Sequence, residues 1–313
     1  MSNIRIQPVT NPPGENAVFI ILNINADPAA LETVRDFAGG FTALVRSLGK
    51  RFPQSHFNAV MGFGSNAWDR LFPNQPKPKE LAPFQEIRGE KHVAVATPGD
   101  LFFHIRADSQ DICFELSAII HQLLEQVTSA VDETHGFRYL DGRAIIGFVD
   151  GTENPESVIA PEYAVIGDED PQFKYGSYAF IQKYLHNMQK WRELSTEEQE
   201  KVIGRRKFND IELDDDEKPG TAHNNVSKAH DADGNELKIL RANVAFAQPS
   251  KNEYGTYFIG YSRSFSVTQQ MLKNMFTGNE DGFVDRLLDF STPISGTLFF
   301  VPTYDFLDDL GDD

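Results

Sequence analysis

Two segments far apart in the chain are built to the same plan, and that plan limits the fold more than any other feature. Residues 99–109 read GDLFFHIRADS and residues 255–266 read GTYFIGYSRSFS. Each is led by glycine, runs through an aromatic-rich strand to an arginine, and then enters a helical pattern, which marks an internal duplication. Around the first segment, residues 17–24 (AVFIILNI) are rich in branched side chains and read as a buried strand. The following LETVRDFAGGFTALVRSLGKRF carries apolar residues at helical spacing. Residues 58–63 read as a strand, 65–71 as a short helix, 72–83 as a proline-rich connector, 101–105 as a strand, and about 109–131 as the closing helix. The second half replays this order, with a strand at 177–183, a helix at 184–191 continued through 195–204, a strand at 257–261 and a closing helix at 268–276.

This order is that of a ferredoxin-like α+β unit, strands in one sheet with helices on one face, used twice. The expected fold class is α+β: two ferredoxin-like halves of the dimeric α+β barrel type, with antiparallel sheets and helices packed on them. A chain of 313 residues has room for both. The expected boundary divides residues 1–145 from 146–313.

Charge and composition exclude several classes. A net charge of −17 opposes binding to a nucleic-acid backbone, which needs clustered Lys and Arg. The single cysteine, Cys113, rules out an internal disulfide, and its apolar helical setting (ICFELSAIIHQLL) points to a small buried residue rather than a reactive thiol. The longest apolar runs, such as AVFIIL, are far too short to cross a bilayer, and the first residues lack the pattern of a secretion signal. The expectation is a cytoplasmic protein that does not enter membranes. The 25 Phe against 9 Tyr and 2 Trp fit either deep dry pockets or a Phe-rich core.

Residues 147–155, GFVDGTENP, follow an apolar lead-in with an Asp-Gly turn dipeptide and an Asn-Pro breaker. They are read as a strand that stops at Asp150, an ordinary loop on local evidence alone. Residues 210–235 are polar, acidic and rich in Gly, Pro and Asn, a loop long enough to be either functional or disordered. It holds His223 in KPGTAHNN and His230 in KAHDADG, each by default a solvated histidine. An imidazole that binds iron must be neutral, with its other nitrogen donating to a carbonyl or carboxylate, so a ligand reading also needs a partner. Asp285 is a candidate; the ordinary alternative is an aspartate on a helix surface paired with Lys or Arg. Arg241 and Asn243 lie in LKILRANVAF, whose alternation gives a strand with one polar face. A carboxylate and a guanidinium facing one small cavity suit peroxide: the first moves a proton between the oxygens, the second stabilises charge as the bond breaks. A structural salt bridge between Asp150 and Arg241 fits the same residues.

Together GFVDGTENP, KPGTAH, LRANVAF and MFTGNEDGFVDRLLDFSTPISGTLFFVP, in this order from Gly147 onward, resemble the dye-decolorizing peroxidase family, and LFFHIRADS extends the likeness into the first half. The resemblance implies a peroxidase holding one haem b per chain in the carboxy-terminal half. Carried over by position, His223 would be the axial iron ligand and Asp285 its hydrogen-bonding partner. Asp150 would be the distal acid/base and Arg241 the distal arginine, with Asn243 and Thr152 lining the distal pocket. The implied substrates are hydrogen peroxide and small aromatic reductants, dyes among them, and the lack of a secretion signal resembles the bacterial intracellular branch. A homo-oligomer, a dimer or larger, is expected.

Three other readings compete. A haem-handling protein for storage, delivery or iron release would keep the ligand without needing Asp150 and Arg241. Chlorite dismutation shares the implied fold and axial histidine, but Asp150 argues for the peroxidase. A phosphatase of the Asp-x-Asp-Gly-Thr kind fails because Phe148 stands where the nucleophile belongs. For donors too bulky to enter a distal pocket, surface Trp191 or Tyr254 is an expected electron relay.

Overall fold

The structure, a computed structural model, describes residues 4–311; the outermost ends of the two expected domains, residues 1–3 and 312–313, lie outside the described residues. Strands β1 (Asn16–Ile24), β2 (Asn58–Gly64), β3 (Leu101–Ala107) and β4 (Thr128–Phe137) come from the first half. Strands β5 (Ser177–His186), β6 (Leu240–Gln248), β7 (Glu253–Ser262) and β8 (Thr297–Val301) come from the second. They form one antiparallel sheet in the order β7-β6-β4-β1-β3-β2-β8-β5, and the β5–β7 pairing closes it into a barrel. Within each half the first strand is flanked by the third and the fourth, and the second lies outside the third, so the duplicated sequence plan is a duplicated topology. Short seams join the halves: Ala245↔Phe137 between β6 and β4, and Phe299↔Gly64 with Phe300↔Phe63 between β8 and β2.

Alternation along the strands sends one set of side chains into the barrel and the other outward. Phe19, Ile21, Val60, Phe102, Val244, Tyr257 and Phe299 fill the interior. On the first half, the outward set is Val18, Ile20, Leu22, Ala59, Met61, Phe63, Leu101, Phe103 and Ile105, all in one core with helices α1 (Pro28–Arg51), α2 (Ser65–Leu71) and α3 (Gln110–Leu124). Helix α1 starts where Asp27 accepts the amide of Ala29 and Pro28 supplies a preset φ, and it buries Ala30, Val34, Ala38 and Phe41 on one stripe. Cys113 is buried in α3, and desolvation pushes its thiol up to about 12, so it is an unreactive core residue, as its setting in the sequence indicates.

Three sequence expectations are corrected. The helix read over 109–131 stops at Leu124; the Thr128 hydroxyl takes the Leu124 carbonyl at 2.9 Å, and β-branched residues carry the chain into β4. That strand is mostly solvent-facing and shows no clean apolar alternation, which hid it. The helix read from residue 184 is instead the end of β5, paired with β7 through Leu185 and with the short strand Ser291–Pro293 through His186. And GFVDGTENP does not end a strand: Val149 makes one isolated bridge to Arg143 within a series of turns.

The second half is completed by α4 (Ala160–Ala164), α5 (Met188–Arg192), α6 (Thr196–Ile203), α7 (His223–Val226), α8 (Phe265–Thr277) and α9 (Tyr304–Asp309). No helix among the described residues is long and apolar enough to cross a membrane.

Candidate active site

Where the first half lays the long helix α1 across its sheet, the second half connects β5 to β6 through short pieces. Asn187 caps α5, a Ser195–Glu198 capping box starts α6, and Gly204 ends it in a left-handed conformation (φ 92). The loop read over 210–235 then contains α7 and a hairpin of Ala229–His230 with Glu236–Leu237. Short helices cannot cover the outward face of β5, β6 and β7. The uncovered part of that face is a cavity holding about 1190 Å³ of atom-free space, partly open to solvent.

His223, the first residue of α7, points into it. The helix is fastened by Asn224, which donates to the Gly204 carbonyl (3.3 Å) and to Glu212 (3.0 Å), and by the Arg286 amide on the Thr221 carbonyl (3.1 Å). The His223 Nδ1 lies 2.6 Å from Asp285 Oδ2. Asp285 is buried at 1 % exposure and its other oxygen accepts the amide of Leu287 at 2.9 Å, so it is no surface aspartate. Nδ1 therefore carries the proton given to Asp285, and Nε2 is the free nitrogen. Burial, together with the charge of Asp285, pushes the nearby Tyr184 phenol up, keeping it a neutral donor.

At another part of the cavity wall, the loop 147–155 leans on the edge of β6 that β4 leaves unpaired. Asp150 accepts the backbone amide of Asn243 at 2.8 Å and its side-chain amide at 2.6 Å. Asn154 does the same work for Arg241, donating to its carbonyl at 2.7 Å and accepting its amide at 2.9 Å. Gly151 at φ 80 makes the turn between them possible. Two side chains thus act as a substitute strand and fix Asp150 against Asn243. No ion pair joins Asp150 to Arg241 among the described residues, so the salt-bridge alternative is not what this geometry gives. Desolvation lowers the Arg241 pKa and the charge of Asp150 opposes that; a guanidinium stays protonated through such a shift.

All six residues singled out in the sequence, Asp150, Thr152, His223, Arg241, Asn243 and Asp285, come to this region, five of them lining the cavity and Asp285 standing behind His223. Thr152 is at the exposed rim, its hydroxyl 2.5 Å from Asp210. Sequence reasoning missed the Arg205–Glu153 ion pair in the wall and the row Gln182, Tyr184, His186 on the floor. The row shows in the sequence as polar residues at every second position of β5. His186 touches Thr256 (2.8 Å) and Ser291 (2.7 Å), and burial lowers its pKa to about 4. Trp191, expected at the surface, is buried at 1 % exposure with its Nε1 on the Ile146 carbonyl (3.0 Å), because it closes the small core of Phe148 and Phe290 behind the cavity.

The comparisons with known proteins agree along the whole chain. Residues 7–138 match the Dyp-type peroxidase N-terminal family model and residues 141–306 the C-terminal one. The chain is 51% identical over 302 residues to a dye-decolorizing peroxidase of Mycobacterium tuberculosis, covering 96% of this chain and 89% of the relative. A crystal structure of a dye-decolorizing peroxidase from Bacteroides thetaiotaomicron superposes with a TM-score of 0.95 at 55% identity, covering 99% of this chain and 100% of that one. A Rhodococcus jostii DypB variant solved in complex with heme gives 0.93 at 47% identity, covering 96% and 97%. The chain belongs to the Dyp-type peroxidase family, whose members are haem-dependent oxidoreductases.

Proposed function

We propose that this chain holds one haem b in the cavity of its carboxy-terminal half and uses hydrogen peroxide to oxidise aromatic dyes and other one-electron donors. The observation that carries the reading is one cavity with two kinds of wall: a buried carboxylate–imidazole pair in one, an anchored carboxylate beside an unpaired guanidinium in the other. The residues fit a haem. Phe258, Met271, Leu272, Met275 and Leu287 supply apolar lining for a flat ring, and the buried Gln182 Nε2 and Ser227 Oγ lack partners among the described residues and require a polar guest or water. His223 would hold the iron through Nε2, with Asp285 fixing the tautomer and raising the basicity of the ring. Bound there, the haem supplies the redox chemistry.

The chain's own residues do the rest. Asp150, with one hydrogen bond on each oxygen, keeps lone pairs free to take a proton from one peroxide oxygen and return it to the other. Arg241 stabilises the negative charge on the departing oxygen, and no ion pair among the described residues holds its guanidinium away from that task. Asn243 holds Asp150 in place and lines the pocket with Thr152. Among the described residues Arg241 makes no ion pair, whereas Asp150 already serves Asn243, and this supports giving Arg241 the larger share. A carrier of haem has no use for such an arrangement, and this favours the peroxidase over haem storage or delivery.

We further propose a division of labour between residues 1–145 as scaffold and 146–313 as haem unit, work in the cytoplasm, and a homo-oligomer. The exposed Val158, Phe208 and Ile211 support self-association, and the single buried cysteine suits a reducing compartment. Purified haem-loaded protein should oxidise an aromatic dye with hydrogen peroxide at mildly acidic pH. No peroxide-driven turnover of any such dye would overturn the reading, and turnover that survives loss of both Asp150 and Arg241 would transfer the chemistry elsewhere.

A further inference from the structure

We infer that Arg143 is a positioning residue that holds the turn carrying Asp150 at its working place in the cavity wall; the inference rests on the proton-shuttle reading of Asp150 above. Residues 142–144 double back on 148–150: Ala144 donates its amide to the Phe148 carbonyl (2.9 Å), Asp150 donates its amide to the Gly142 carbonyl (3.0 Å), and Arg143 bridges Val149 between them. A ladder of three residues a side is too short to hold itself. The Arg143 guanidinium closes it from the side. Its Nη1 donates to the Gly147 carbonyl at 3.1 Å and to the Lys207 carbonyl at 2.5 Å, and its Nη2 donates to the Phe208 carbonyl at 3.3 Å. Asp141 steadies the same fork, accepting from Nε at 2.8 Å and from Nη2 at 3.2 Å.

Asp150 thus stands between two fastenings to one neighbouring loop, residues 205–211. Before it in the chain, Arg143 holds the carbonyls of Lys207 and Phe208; after it, the Thr152 hydroxyl donates to Asp210 at 2.5 Å and Glu153 pairs with Arg205. Arg143 also reaches the tip of the turn, at Gly147, where a φ of 97 lets the chain reverse. Its side chain is 14 % exposed, and it lies away from the main cavity. It borders a smaller one of about 660 Å³ of atom-free space, in whose wall Asp150 and Asn243 also stand. Its effect on peroxide therefore passes through the turn. A carboxylate that moves a proton between two oxygens works within about 0.5 Å of its place, and a misplacement of about 1 Å costs on the order of a hundredfold in rate. A planar guanidinium fork can hold carbonyls of two loops at fixed angles, which an ammonium on a flexible stem does not reproduce.

The test follows the reaction of haem-loaded protein with hydrogen peroxide in stopped flow for wild type, Arg143→Met, Asp150→Asn and the double variant. Methionine keeps an unbranched stem and removes the donors. Arg143→Met should react roughly ten- to a hundredfold more slowly than wild type with its Soret band unchanged. The double variant should be no slower than Asp150→Asn by itself, because a residue that acts through Asp150 then has nothing left to position. Arg143→Lys, which keeps the charge without the fork, goes through the same cycle with the same expectation, so the test stands if the methionine variant does not fold. Wild-type rates in the Arg143 variants would overturn the inference and leave Arg143 a role in the fold alone. Losses that multiply in the double variant would overturn it too, since Arg143 would then act by a route other than Asp150. Asp150→Asn reacting as fast as wild type would instead defeat the proton-shuttle reading, and the inference with it.

Discussion

The two halves of the barrel share a topology and differ in what their outward sheet faces carry. At matching strands the first half has Val18, Ile20 and Leu22 on β1, Ala59, Met61 and Phe63 on β2, and Leu101, Phe103 and Ile105 on β3. The second half has Gln182, Tyr184 and His186 on β5, Arg241 and Asn243 on β6, and Thr256 and Phe258 on β7. The first face is sealed by α1 and α3; the second is left open by short helices and lined with donors. The difference teaches that the connection from the first strand to the second decides the role: one long amphipathic helix makes a core, and a broken crossover makes a pocket.

Substitutions on the two faces should therefore fail in different ways. On the sealed face, Phe103→Ala leaves a hole among Phe37 and Phe41 and should cost about 3–5 kcal/mol of stability, read by chemical denaturation, while the haem spectrum of the remaining folded protein is unchanged. On the open face, Arg241→Leu should slow the reaction with peroxide by roughly a hundred- to a thousandfold in stopped flow, with the melting temperature unchanged or raised, since a half-buried charge without an ion-pair partner among the described residues is removed. Asp150→Asn should slow it by about a hundredfold, at the low end of general acid–base effects. A greater loss with Asp150→Asn than with Arg241→Leu would reverse the ranking of the two.

His186 separates the faces by pH. Burial holds its pKa near 4 in the folded protein, whereas the unfolded chain binds the proton as pH falls through 6.5. Protons thus favour the unfolded state across that window, and stability should fall by roughly 2 kcal/mol between pH 6.5 and pH 4 on this account alone. His186→Gln should flatten that part of the stability profile; an unchanged slope would assign it to other groups. The smallest effect is expected at Gly151, where alanine at φ 80 should cost about 1 kcal/mol and loosen the turn that presents Asp150.

The sealed half was the more legible in the sequence. Apolar residues at two- and four-residue spacing mark β1, α1, β2 and α2, because burial against a continuous partner leaves a periodic trace. The solvent-facing β4 leaves little trace, and its first residues fall inside the helix read over 109–131. In the open half, His223, Asp285, Asp150, Arg241 and Asn243 were visible as residue types in known motifs, but their partners were not. Nothing local says that Asp150 grips Asn243 or that Asn154 grips Arg241, since both contacts join a turn to a strand edge about ninety residues away in the chain. Tyr184 and His186 are hidden by the reading of residues 184–191 as a helix, although with Gln182, in the strand read over 177–183, their alternation is that of a strand.

The absorption spectrum of haem-reconstituted protein tests the central claim most directly, comparing wild type, His223→Ala and His230→Ala. A Soret band in wild type and in His230→Ala, lost or displaced in His223→Ala, is the expected result. A wild-type spectrum retained by His223→Ala would contradict the assignment of the open face as the haem site.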